Sequence, residues 1–93
     1  MRLHYRALGD DNWRQGTSAN MSRTGVLFQG ERPLGLRTPV ELSFELPVSI
    51  SGERGAQVIC RGEIARSSAP GADDTPAILA ATIEAYQFVR VTG

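Results

Sequence analysis

Apolar residues recur at every second position through most of this chain, and that period restricts it to extended strands. Val40, Leu42, Phe44 and Leu46 fall on one side of a segment whose other side carries Glu41, Ser43 and Glu45. This is the pattern of a half-buried antiparallel strand. Val58, Cys60, Gly62 and Ile64 alternate with Gln57, Ile59, Arg61 and Glu63, with Ile59 as the exception. Leu79, Ala81, Ile83 and Ala85 alternate with Ala80, Thr82, Glu84 and Tyr86, although the alanines make this the most helix-prone run of the chain. Near the start, Leu3, Tyr5 and Ala7 share a face opposite Arg2, His4 and Arg6. From Trp13 to Met21 the odd positions hold Trp13, Gln15, Thr17, Ala19 and Met21, and residues 25–29 read as a short, mostly buried strand.

Turn chemistry separates these runs. Gly9-Asp10-Asp11-Asn12 suits a tight hairpin. Gly30 to Gly35 and Ser51 to Gly55 read as loops, and Ser67 to Pro76 reads as the longest one. Six strands spaced by turns predict an all-β sandwich or barrel, and closing six antiparallel strands into a barrel leaves few edges to aggregate. With 93 residues, the expectation is one domain over residues 1–93 with a thin core of its own.

Charge and composition narrow the function classes. Ten basic and ten acidic side chains cancel, which excludes a diffuse polycation that would coat nucleic acid or anionic membrane. All ten basic residues are Arg. Arg suits phosphate and guanine edges, so the bias permits a local anion site, and a GC-rich genome produces the same bias. One cysteine forbids a disulfide within the chain and disfavours a thiolate zinc site. No apolar run approaches the roughly 20 residues of a membrane span, and Met1 to Arg6 lacks the apolar core of a signal peptide. The expected compartment is the cytoplasm, with no membrane partner.

An enzyme needs a nucleophile, a base and an orienting group within reach of one another. The one histidine, His4, and the one thiol, Cys60, fall on different strands, and Cys60 lies on the apolar alternation of a buried side chain. Asp10-Asp11 and Asp73-Asp74 sit in loops as solvated turn acids. Neither a catalytic set nor a metal or cofactor site is expected. One Trp, two Tyr and three Phe beside zero net charge do not make a nucleic-acid groove, and Trp13 is expected to pack against the barrel.

The segment from Thr17 to Phe28 carries more information. Asn20 offers an amide donor and a carbonyl acceptor, and Ser22 offers a hydroxyl that an extended chain projects to the same face. Gly25 permits a positive φ or a close backbone approach, and Arg23 adds a charged donor. The same residues also make an ordinary β-turn. Asn20-Met21-Ser22 fits a glycosylation sequon, which requires secretion.

Asn20-x-Ser22-x-x-Gly25 followed by Val26-Leu27-Phe28 resembles the Asp/Asn-x-Ser-x-x-Gly signature of PilZ domains. The resemblance extends over about residues 3–88, through the strands at 40–46 and 58–66 and the closing strand at 81–88 with its aromatic exit. It implies a six-stranded antiparallel barrel that binds cyclic di-GMP, with Asn20 and Ser22 on guanine and phosphate, Gly25 keeping the turn tight and Arg23 beside them. It also implies an Arg-x-x-x-Arg phosphate clamp, whose spacing Arg2 and Arg6 reproduce. The alternation places those same two arginines on one face of the first strand. Two functions follow: a second-messenger receptor acting on a partner protein of unknown identity, or a degenerate PilZ domain that binds no nucleotide and serves as an interaction adaptor.

Overall fold

A computed structural model describes residues 1–45, 56–68 and 76–90. The regular elements among them are all strands: β1 (Arg2–Ala7), β2 (Arg14–Met21), β3 (Gly25–Gly30), β4 (Pro39–Glu45), β5 (Ala56–Ser68), β6 (Ala77–Thr82) and β7 (Ala85–Arg90). Antiparallel pairing runs β4-β1-β2-β3-β6-β5, and β5 pairs back onto β4. The six strands therefore close a barrel, as the alternation predicts, and β7 is an additional strand on β5.

The inward positions are the ones the period of two selects. Leu3 and Tyr5, Val26 and Phe28, Val40, Leu42 and Phe44, Val58, Cys60 and Ile64, and Ala77, Leu79 and Ala81 form one buried cluster. Tyr5 is fully buried, with its ring 5.0 Å from that of Phe28. Its hydroxyl donates to the carbonyl of Arg32 at 2.7 Å and accepts the Arg32 N–H at 2.9 Å. A buried phenol needs such partners. Gly30 leaves the space this ring occupies: a Cβ there would stand 2.5 Å from the Tyr5 hydroxyl.

Four expectations need correction. The face of β2 changes partway. Ser18 pairs with Phe28 but Asn20 pairs with Leu27, so Ala19 is an extra residue in a bulge. The bulge shifts the alternation by one. Gln15, Thr17 and Ala19 are exposed, whereas Met21 packs on the core. Second, β4 is buried on both faces. Glu41 and Ser43 are 6% and 5% exposed, because Arg6, Arg61 and Gln57 on the flanking strands reach over them.

Third, the run at 79–86 is two strands. Glu84 N–H donates to Arg61 O at 2.8 Å while Ala85 is the register partner of Arg61. Two residues thus oppose one, and the chain breaks at Ile83, whose N–H bonds Thr24 O at 2.9 Å. Fourth, Ser67 and Ser68 continue β5 instead of opening a loop, paired with Leu79 and Ile78. Leu46, the loop at 51–55 and Asp73-Asp74 lie outside the described residues.

The first hairpin follows its turn residues. Gly9 has φ +91°, Asp10 N–H bonds Ala7 O at 3.0 Å, and Asn12 N–H bonds Asp10 Oδ1 at 3.0 Å. No helix of the described residues is long and apolar enough to cross a membrane.

Burial raises the Tyr5 phenol above its ordinary 10.0 and the Cys60 thiol above its ordinary 9.0. The fold favours both neutral forms. Their contribution is complete below the unfolded values and is lost as pH rises through the folded ones. Urea unfolding at a series of pH values will show stability falling above about pH 9. Tyr5→Phe will lower stability by about 1–3 kcal/mol at neutral pH, by stranding the Arg32 peptide groups, and will flatten the alkaline decline.

Candidate functional site

The bulge at Ala19 determines where Asn20 points. Inward residues of β2 precede it at Gly16 and Ser18, and Met21 is inward after it, so Asn20 faces outward beside Leu27. The chain then turns through Ser22, Arg23 and Thr24 into β3. Ser22 N–H donates to Gly25 O at 2.9 Å, and Thr24 N–H donates to Ser22 Oγ at 3.3 Å. The Ser22 hydroxyl also lies 3.4 Å from Thr24 Oγ1 and from Gly25 O. The turn is thus closed on itself and holds the hydroxyl in place.

Asn20, Ser22 and Gly25 line one open groove of about 320 Å³. Its floor is apolar, formed by Leu27, Ala65 and Ala80. Leu27 pairs with Ala80 across β3 and β6, and Ala65 is the extra residue where the β5–β6 register shifts. An amide and a hydroxyl above a small-residue floor suit a flat, polar-edged ring. Gly25 eases a close approach: a Cβ there would stand 3.2 Å from Ala81 O, a tight contact. Its φ is not positive, so the left-handed option is not used.

The arginines are distributed differently. Arg23 is exposed at the tip of the turn. Arg2 lies at the end of β1 opposite Thr17 and lines a separate groove of about 460 Å³ with His4, Gln15 and Gln29. Arg6 sits four residues along the same outward face, roughly 13 Å away. Its Nη2 is 3.1 Å from Glu41 Oε1, its Nε–H donates to the same oxygen at 3.2 Å, and its guanidinium lies 4.3 Å from the centre of the Trp13 ring. Arg61 Nε holds the other Glu41 oxygen at 3.3 Å. Both β1 arginines are therefore on a strand paired on both sides, and Arg6 is engaged by a carboxylate that is itself buried.

The structure brings Asn20, Ser22 and Gly25 together, sets Arg23 at the turn tip, and places Arg2 and Arg6 outside that groove. Thr24, Ala65 and Ala80 were not singled out as site residues in the sequence. Only the registers of β3 and β5 against β6 identify the floor, and small alanines carry no chemical signal of their own. His4 faces solvent and Cys60 faces the core, where burial raises its thiol.

Comparisons with models of known families, with curated proteins and with solved structures match none of them to this chain.

The Arg6–Glu41–Arg61 group makes a measurable claim on stability. Arg6→Ala leaves a buried carboxylate with one exposed partner and uncovers Trp13. Guanidinium unfolding will show a loss of about 1–3 kcal/mol, whereas Arg2→Ala will change stability by less than about 0.5 kcal/mol.

Proposed function

We propose that this barrel is a non-catalytic, cytoplasmic receptor domain of the PilZ kind, binding cyclic di-GMP and passing the signal to a partner protein. The observation that carries this reading is the convergence of Asn20, Ser22 and Gly25 on one groove at a strand junction of a closed six-stranded barrel. In it, the Asn20 amide reads a guanine edge, which offers both donors and acceptors. The base lies over Leu27, Ala65 and Ala80. The Ser22 hydroxyl and the exposed Arg23 meet phosphate oxygens at the rim, where a guanidinium is the strongest available donor. Arg2, at the neighbouring end of β1, is the nearer of the two clamp arginines to this rim. Binding needs no metal or cofactor in this scheme, because the ligand's charge is met by arginine alone.

A second reading has its own support. Arg6 is held by Glu41 and rests on Trp13, so a phosphate that recruits it must displace a carboxylate. A domain with this arginine committed acts as a protein-interaction adaptor without nucleotide.

Calorimetric titration with cyclic di-GMP separates the two. The receptor reading expects saturable heat, with Asn20→Ala and Ser22→Ala each weakening binding by roughly tenfold or more. Both side chains are on exposed residues, so melting temperatures will stay close to that of the parent chain. Absence of heat at high protein concentration overturns the receptor and leaves the adaptor. Arg6→Ala will leave affinity unchanged if the Glu41 pair is purely structural, and will reduce it if the arginine swings onto phosphate.

A further inference from the structure

We propose that β7 is the surface through which two copies of this chain associate, edge to edge. This inference is independent of the nucleotide reading. Strands β1 to β6 each have neighbours on both sides because the barrel closes. Among the described residues, β7 pairs with β5 alone and keeps one edge free.

The hydrogen-bond phase shows what that edge offers. Ile64 N–H and O bond Thr38 O and Arg37 N–H, on the β4 side of β5. Even positions of β5 therefore point toward β4 and odd positions toward β7. Consistently, Glu63 N–H goes to Thr82 Oγ1 and Arg61 O accepts from Glu84. The register partners of Arg61, Ile59 and Gln57 are Ala85, Gln87 and Val89. The peptide groups of Tyr86 and Phe88 are left facing outward, ready to pair with another strand.

The side chains add apolar surface at the same place. Tyr86 and Phe88 are 65% and 58% exposed, and their rings meet edge to face at 5.6 Å. Their β5 partners, Cys60 and Val58, are buried. Paired residues share a face of the sheet, so the two rings extend the core's face beyond the barrel wall. Edges are usually protected by Lys, Pro or a bulge within the strand. Residues 86–89 contain neither Pro nor any charged residue, and their register against β5 is unbroken.

The occupant that fits is a second copy. Antiparallel pairing about a two-fold axis through Gln87 sets Tyr86 of each chain opposite Phe88 of the other. It brings the outward peptide groups of those residues into hydrogen-bonding pairs. Aromatic pairs are among the cross-strand pairs that stabilise sheets, and this edge is complementary to itself in that respect.

Sedimentation of the 93-residue chain from micromolar to near-millimolar concentration tests this. The expected result is a rise from 10.1 kDa toward twice that mass. Phe88→Lys will weaken the dimer by roughly tenfold or more, with an unchanged circular dichroism spectrum. A mass of 10.1 kDa at every concentration overturns the proposal and leaves the edge to a strand of some other protein. A dimer indifferent to Phe88→Lys overturns it as well.

Discussion

Thirteen consecutive residues of β5 hold three other strands, and the closure of the barrel depends on them. The first half of β5 is shared between β4 and β7, and the second half pairs with β6. A strand of that length, roughly 40 Å, exceeds what one wall of a small barrel needs. Its surplus shapes both the groove and the free edge of the surface. Where the register with β6 slips, Ala65 is extruded into the floor of the Asn20 groove. Beyond the barrel, the other end of β5 carries β7 and its exposed rings.

Close approach at two glycines makes this possible. A side chain at Gly62 would run into the Thr82 carbonyl, where the β6–β7 break crosses β5, and a side chain at Gly30 would run into Tyr5. Both lie at inward positions of their strands. A small chain has too little interior to fill every inward position with a large residue, and the missing side chains let a neighbouring ring or carbonyl enter. Tyr5 uses the space to reach a polar partner at Arg32, so the buried phenol also fastens the connection after β3.

The alternation made the barrel legible, because a residue such as Leu42 or Leu79 faces the core wherever its strand goes. It could not reveal Ala19 as a bulge, since an added alanine looks like any other position until its partner strand is known. For the same reason the continuous run at 79–86 concealed the break at Ile83 and Glu84. Glu41 read as a solvated residue, and only the packing of β1 and β5 showed two arginines closing over it. The candidate groove was half legible. Asn20, Ser22 and Gly25 announce themselves by side-chain type and spacing, whereas the alanines beneath them become a floor only through register.

Cys60 provides the barrel with an internal clock. Its thiol faces the core from the middle of the strand that three others depend on, and it is the chain's one cysteine. A thiol reagent reaches it only when β5 parts from its neighbours. The pace of labelling in the untouched protein therefore counts openings of the wall itself, with no engineered probe.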